Sequence, residues 1–449
     1  MFKIEIPEKA KQIINQLEQA GYEAYVVGGP VRDCILGKCP TDWDITTSAY
    51  PYQVKEIFSY TIDTGIAHGT VTVMMGKEPF EVTTYRVDGE YRDHRRPEEV
   101  CFTKSLKEDL LRRDFTINAM AYNDRDGLID YYGGAEDLKK KTIRCVGDAR
   151  RRFDEDALRI LRALRFQAQL GFVIEEETKQ AIQKQAKFLK DISAERIQTE
   201  LTKLLLSDHP ETILDAFDLG VTKVVLPEFD RMMETPQNNP HHCYNVGVHT
   251  VEALKNTEPD HILRWTMLLH DVGKPEARVE GKIKDSFQGH NTIGEEVSRK
   301  ILKRLKFDNQ TIKQVTRLVY WHDVRFGSLD EVSKKTVRRW VSRISVPLFE
   351  KLLKVQQADI SAQSTFMQEE KQQILDRTRL LFEEIKEEKD CLQVKDLALD
   401  GKDLISLGMK PGREIGEMLA GLLELVLEDP AKNKREVLEQ AVRKKRGEL

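Results

Sequence analysis

At 449 residues the chain exceeds the ~250–300 residues at which a single core stops growing, so several domains are expected. A 40% hydrophobic share is ordinary for a soluble protein, no apolar run reaches the ~18 residues of a membrane span, and MFKIEIPEKAKQ lacks a signal h-region, so neither a membrane nor a secreted class is expected. A net charge of −4 excludes a globally basic binder, so any nucleic-acid surface has to come from local clustering.

In chain order, residues 7–20 read as a helix and Ala24–Val27 as a buried strand. Gly28 and Gly29 follow that strand, where the absence of a Cβ lets backbone N–H groups approach a phosphate. Pro30 suits the first position of a short helix ending at Gly37. Next comes TDWDIT, in which Asp44–Thr46 reads as a strand, and residues i and i+2 of a strand share a face. Asp42 and Asp44 therefore meet on one side. Like charges that close repel, and a divalent cation with a taste for oxygen ligands, Mg²⁺, relieves them. An isolated DxD is usually a solvated turn. Beside Gly28-Gly29 and Arg32-Asp33 it reads instead as a metal anchor next to a phosphate cradle, which is the chemistry of phosphoryl or nucleotidyl transfer.

Further on, residues 51–59 read as a helix, and Thr70–Met74 and Phe80–Tyr85 as strands. Glu81 lies on the second of these, a candidate third carboxylate or an ordinary edge-strand charge. After about residue 150 the strand signal almost disappears. Residues 154–170 read as one helix, with Leu158, Leu161 and Leu164 in one row and Arg159, Arg162 and Arg165 in the next. The segment 139–165 carries ten basic residues against four acidic ones, and KNKREVLEQAVRKKRGEL at the end is also basic; both are read as surfaces that track an RNA backbone. Helices are expected over 175–190, 194–206, 246–256, 261–270, 291–306, 309–321, 331–343, 347–360, 367–388 and 412–427. The Pro- and Asn-rich stretch 235–240 marks a boundary. Six scattered cysteines (34, 39, 101, 145, 243, 391) show no CxxC, so reduced thiols in a cytoplasmic protein are expected.

Three ordered motifs, GGPVRD…DWD, LLRRDFTINAMA (110–121) and RRFDEDALRILRALRF (151–166), resemble those of the class II tRNA nucleotidyltransferases, the CCA-adding enzymes. The resemblance implies an α+β chain. A nucleotidyltransferase-type α/β head over 1–145 is followed by an all-α remainder: neck and body (146–235), an HD domain (236–365) and a tail (366–449). It implies tRNA, CTP and ATP as partners, and Asp42 and Asp44 as the catalytic Mg²⁺ ligands. Arg112, Arg113 and Asp114 would contact the incoming ribose and phosphates, with Asn118 close by. Gly28, Gly29, Arg32, Arg162 and Arg165 complete the expected nucleotide site.

Glu155-Asp156-Ala-Leu-Arg159 matches the family's EDxxR motif, which reads the incoming base in place of a template. The chemistry suits it: a carboxylate accepts from the exocyclic amine of C or A, and a guanidinium donates to the neighbouring ring acceptor. The polar stretch Asp88–Pro97 resembles the family's loop tied to addition of the terminal A, which favours complete CCA addition over CC-only products. SAERIQTELTKLL (193–205) resembles the neck motif, with Glu195 and Glu200 in structural roles.

A second constellation, His249, His270-Asp271 and Asp359, resembles the HD phosphohydrolase pattern, with His242, His290 and His322 as further candidate ligands. Such a mixed N/O set suits Mn²⁺, Ni²⁺, Co²⁺ or Mg²⁺. It implies a second divalent metal and a possible hydrolysis of phosphoesters such as 2′,3′-cyclic phosphates. In the tail, Gly408, Pro411 and Gly412 favour a turn at a helix N-terminus that could hold an RNA phosphate. The competing readings are a partial A- or CC-adding enzyme, a poly(A) polymerase, and an HD phosphohydrolase whose head only binds RNA.

Overall fold

The apolar run at residues 24–27 forms β1 (Ala24–Val27), buried at every position because it lies inside a sheet covered on both faces. The remaining strands of the first 130 residues are β2 (Ile45–Thr47), β3 (Thr61–Gly65), β4 (Thr70–Met75), β5 (Glu78–Thr84), β6 (Arg86–Asp88), β7 (Val100–Phe102), β8 (Ala121–Asn123) and β9 (Gly127–Ile129). Seven of them build one mixed sheet in the order β3-β4-β5-β2-β1-β8-β9, while β6 and β7 pair separately. All neighbours are antiparallel except β2 and β5, which run parallel with Ile45 opposite Val82. This is a computed structural model, and it describes residues 3–88, 100–281 and 284–447. The stretch 88–97 expected to carry the A-addition loop therefore lies, past Asp88, outside the described residues.

Helices α1 (Glu8–Gln19), α2 (Gly29–Ile35), α3 (Pro51–Ile57), α4 (Leu106–Leu111) and α5 (Gly134–Lys139) complete the head. Helix α4 starts at Ser105, whose hydroxyl accepts from the Glu108 N–H, an N-cap in its usual geometry. Tyr25, Val27, Tyr85, Leu110 and Ala121 form the core between sheet and helices.

Beyond the head come α6 (Ala149–Glu155), α7 (Leu158–Leu170), α8 (Glu176–Gln185) and α9 (Ala194–Leu205). The single helix expected over 154–170 is thus two helices. Asp156 breaks it: its backbone is extended (φ −143°, ψ 103°), and its carboxylate accepts from the Leu158 N–H. After residue 150 the described residues add only β11 (Val173–Ile174), paired in parallel with β10 (Thr142–Ile143), and an isolated antiparallel bridge between Val279 and Ser286.

The chain divides into two compact units, residues 1–230 with 304–307, and residues 231–303 with 308–449. Head and neck belong to the first, so the expected boundary near 145 does not separate compact bodies. The Phe115 and Phe166 rings pack edge to face across it. The second unit is helical, with one core around Phe349, Leu352 and Phe382 and another in the tail around Leu404, Leu422 and Leu438. All six cysteines are free thiols, and no helix among the described residues is long and apolar enough to cross a membrane.

Candidate functional sites

Antiparallel pairing of β1 with β2 continues one step past the strand end, where the Val27 N–H donates to the Asp44 carbonyl at 3.0 Å. Asp44 is thereby fixed beside the Gly28 turn. Gly28 has φ +80°, and a Cβ there would stand 2.9 Å from Arg113 Nη1. Only glycine accepts both the backbone angle and the guanidinium laid against it. On the other side, the parallel register Ile45 opposite Val82 brings Asp44 next to Glu81. Burial is the largest force raising the Asp44 pKa, followed by the Glu81 charge, with Arg113 opposing and Asp42 adding. Water still reaches the carboxylate.

The crowding read from TDWDIT is therefore present, and a divalent cation fits it by removing the repulsion. Asp42, Asp44 and Glu81 nevertheless do not close as tightly as three-ligand clusters elsewhere. Among the described residues, two sets of three bring ligand atoms within 4.8 Å of one another, and neither includes a head carboxylate.

Arg112 and Arg113 behave differently from each other. Both are organised by Asp109, a fully buried residue that the sequence reading passed over. Arg112 grips Asp109 Oδ1 through Nε (3.0 Å) and Nη2 (2.8 Å), so its guanidinium faces inward. Arg113 reaches Asp109 Oδ2 at 3.6 Å while its other side lies against Gly28 and within the field of Asp44. Burial alone would raise the Asp109 pKa, and the two arginines outweigh it, so the carboxylate stays ionised. The spacing Asp109-x-x-Arg112-Arg113 is i, i+3 and i, i+4 across the C-terminal end of α4, a signal the sequence did contain.

Asp114 does not stand open to a ligand. It is the node of a buried chain in which Arg32 Nη1 donates to Asn118 Oδ1 (2.7 Å), Asn118 Nδ2 to Asp114 Oδ1 (3.1 Å), and Arg162 Nε to Asp114 Oδ2 (2.7 Å). Burial works against its charge, but Arg162 and Asn118 hold the carboxyl down to about 2. Phe166 lies under this group, with the Arg32, Arg162 and Arg165 guanidiniums 5.1, 5.4 and 4.1 Å from its ring centre.

Asp156 and Arg159 do not share one helix, contrary to the expectation. Asp156, at the break before α7, is held by Arg196 Nη2 of α9 at 2.7 Å. Arg159 Nη1 donates to Glu155 Oε2 (2.7 Å) and to the Arg152 carbonyl (3.1 Å), and Nη2 to the Arg112 carbonyl (2.9 Å). Arg159 thus ties the neck to the Arg112–Arg113 turn. Arg196 was not anticipated, because nothing in a 40-residue separation marks it.

The basic segment 139–165 also needs correction. Arg152, Arg159 and Arg165 are buried rather than solvent-facing, and six of its arginines meet carboxylates: Arg144 with Asp137, Arg151, Arg152 and Arg159 with Glu155, Arg162 with Asp114, Arg165 with Glu200. A buried guanidinium needs such a partner. The exposed remainder is Lys139, Lys140, Lys141, Arg150 and Arg151. Glu200 is buried in its pair with Arg165 at 3.1 Å, and Glu195 is exposed.

In the second unit, His249, His270-Asp271 and Asp359 converge from three places in the chain. His249 Nε2 stands 2.8 Å from Asp359 Oδ1, and His270 Nε2 stands 3.2 Å from Asp271 Oδ2. His290 and His322 join them, each within 4 Å of Asp271. The His242 ring packs on His249 at 4.9 Å, and burial lowers its pKa to about 3, but it belongs to neither ligand set. Lys274, also unanticipated, pairs with Asp271 at 2.7 Å. In the tail, the expected turn is present, with Gly408 at φ +85° and Gly412 at φ +154° before the helix Arg413–Glu428.

Comparison with known proteins fits this arrangement. Residues 24–144 match the family described as Poly A polymerase head domain, 171–233 the probable RNA and SrmB-binding site of polymerase A, and 290–442 a putative tRNA nucleotidyltransferase domain 2. The chain is 36% identical to the CCA-adding enzyme of Lactobacillus helveticus over 433 residues, 96% of each chain. It is 36% identical to that of Enterococcus faecalis over 448 residues, 98% of this chain and 96% of that one. The fold superposes on the Bacillus stearothermophilus CCA-adding enzyme in complex with CTP at a TM-score of 0.72 and 27% identity, covering 98% and 99% of the two chains. Against the Thermotoga maritima CCA-adding enzyme complexed with tRNA the TM-score is 0.59 at 22% identity, over 98% and 96%, which is a likeness of fold.

Proposed function

The chain belongs to the class II CCA-adding tRNA nucleotidyltransferases, and from that premise we propose that it adds the complete CCA sequence to the 3′ end of tRNA, taking CTP and ATP one nucleotide at a time. The observation that carries the reading is Asp44, fixed beside the Gly28 turn, next to Asp42 and Glu81 in charge and facing Arg113. Mg²⁺ held by Asp42 and Asp44 would supply activation of the RNA 3′-hydroxyl and charge neutralisation at the departing pyrophosphate.

The protein's own groups do the rest. Gly29 offers an N–H group and Gly28, whose own N–H donates to the Met120 carbonyl, offers room for the triphosphate, and Arg113 adds a guanidinium whose planar fork suits phosphate. Arg112 contributes by fixing Asp109, and through it Arg113. The chain Arg32–Asn118–Asp114–Arg162 keeps the wall of the nucleotide pocket rigid. Asp156, steadied by Arg196, accepts from the exocyclic amine of cytosine or adenine, with Arg159 as its donor counterpart. Guanine and uracil present the opposite pattern at those positions and are refused. The exposed residues Lys139–Lys141, Arg150 and Arg151 and the basic tail are suited to the tRNA backbone.

The HD cluster supports a second activity, metal-dependent hydrolysis of phosphoesters such as 2′,3′-cyclic phosphates. The buried convergence of histidines and carboxylates around Asp271 favours it. Extension of a tRNA lacking its last three nucleotides, with each NTP alone and then with CTP and ATP together, tests the main reading. CCA is expected only with the pair, CC with CTP alone, and nothing with GTP or UTP. An A-tail of many residues, or a stop after CC in the presence of both, would contradict it.

A further inference from the structure

Asp44 has two flanks. Gly28 and Arg113 lie on one, the side given to the triphosphate. On the other the sheet continues through β5, β4 and β3. Residues paired across neighbouring strands point to one face, and so do residues two apart on a strand. Glu81, beside Asp44, is paired with Thr72, and Thr72 with Ile62. The Tyr60 carbonyl accepts from the Met74 N–H at 3.0 Å, which carries the ladder one pair further. Between Ile62 and Gly65 the register shifts, and the Thr64 hydroxyl comes to 2.8 Å from that of Thr72. Glu81, Thr72, Thr64, Ile62 and Tyr60 thus share one face that begins at the metal-anchoring carboxylates. At about 4.8 Å per strand, Asp44 to Thr64 spans roughly 14 Å.

We propose that this face is the subsite for the 3′-terminal nucleoside of the RNA, with the Thr64–Thr72 hydroxyl pair meeting its ribose 2′-hydroxyl and Tyr60 and Ile62 supporting its base. The inference rests on the nucleotidyl-transfer reading. That reaction needs a 3′-hydroxyl within reach of Asp44 while the Gly28 and Arg113 flank holds the triphosphate, which leaves the Glu81 flank. The 2′- and 3′-oxygens are neighbours on the ribose, as Thr72 and Glu81 are neighbours on the sheet. Of two hydroxyls in contact one donates to the other, so the pair keeps a hydrogen and lone pairs for a group that both donates and accepts. A 2′-hydroxyl is such a group, and it separates RNA from DNA. Tyr60 is 59% exposed and Ile62 43%, while the same strands bury Val71, Val73, Phe80 and Val82 on their opposite face. The sheet therefore has its core without them. The last base of the growing RNA changes with each addition, and an aromatic and an aliphatic side chain support any base without reading it. The ribose hydroxyl is the feature that stays the same.

The test gives the full chain ATP and tRNA ending in CC, its last ribose unmodified or 2′-deoxy. The unmodified chain should lose roughly three- to tenfold in kcat/KM on the 2′-deoxy primer. Thr64→Val, at an exposed position, should lose as much on the ordinary primer and treat the two alike, and Thr64→Ser should restore the difference. Tyr60→Ala should raise KM for tRNA roughly tenfold while KM for ATP stays unchanged. With p-benzoylphenylalanine in place of Tyr60, photocrosslinks should map to the 3′-terminal nucleotide. Equal use of both primers by the unmodified chain, discrimination that survives Thr64→Val, or crosslinks elsewhere on the tRNA would overturn the subsite and leave nucleotidyl transfer standing. A chain that adds no nucleotide would sink the transfer reading instead, and the crosslink position would still decide the subsite.

Discussion

Arg196 of α9 holds Asp156, forty positions earlier in the chain, through Nη2 at 2.7 Å and Nη1 at 3.4 Å. The carboxylate that would read the base is thus aimed by a residue outside the motif. A hydrogen bond between charged groups contributes about 1.5–3 kcal/mol, and each ~1.4 kcal/mol is a factor of ten. Arg196→Ala should therefore lower kcat/KM for CTP and ATP by roughly ten- to a hundredfold and raise UTP and GTP misincorporation. Arg196→Lys should recover part of both. Single-nucleotide incorporation with each NTP checks this, and unchanged selectivity would show that Arg196 is only a strut.

Asp109 should be the most costly single residue of the head to lose. It is fully buried and holds two arginines and Thr46 Oγ1 (3.2 Å). Removing one partner of a buried charge group costs about 3–5 kcal/mol, because the remaining charges stay behind unpaired. Asp109→Ala is expected to lower head stability by that amount and to raise KM for both nucleotides. Amide exchange across residues 105–118 and steady-state kinetics read the two effects.

The Asp114 carboxyl gives the head a signed response to acid. Its folded pKa, about 2, lies below the ordinary 3.8, so its stabilisation is fully present above about pH 4 and is lost as pH falls toward 2. The shift corresponds to roughly 2 kcal/mol. The stability gap between the unmodified chain and Asp114→Asn should be largest near neutrality and shrink below pH 4. A gap independent of pH in urea titrations would argue against this ionised node.

Much of the nucleotide site is legible in the residues themselves. Asp42 and Asp44 are legible as two crowded charges, although the strand starts at Ile45 and neither lies on it, and Gly28 announces a turn whose φ of +80° favours glycine. The break inside 154–170 is not legible. No glycine or proline marks it, and the leucine row runs through, yet Asp156 competes with the helix by accepting its own Leu158 N–H. The arginine row of α7 misleads for a related reason. Composition shows charge, while the carboxylates that bury Arg159 and Arg165 come from Glu155 and from Glu200 of α9. At the HD cluster the ligand types are readable in order. Which of them stand together in which set depends on ring orientations that only the packed helices fix.

The two sites should be separable by mutation. His249→Ala and Asp271→Ala are expected to abolish opening of a 2′,3′-cyclic phosphate substrate to its phosphomonoester while CCA addition continues at near-normal rates. Asp44→Ala should do the reverse. Loss of both activities in either variant would contradict independent sites.

The most direct measurement follows one nucleotide added to tRNA ending in CC, with ATP, in Asp42→Ala and Asp44→Ala separately, beside circular dichroism of each. Two folded chains with no detectable incorporation, against rapid addition of A by the unmodified chain, are the expected result. Normal incorporation by either folded variant would contradict the assignment of the carboxylate pair as the metal anchor of nucleotide transfer.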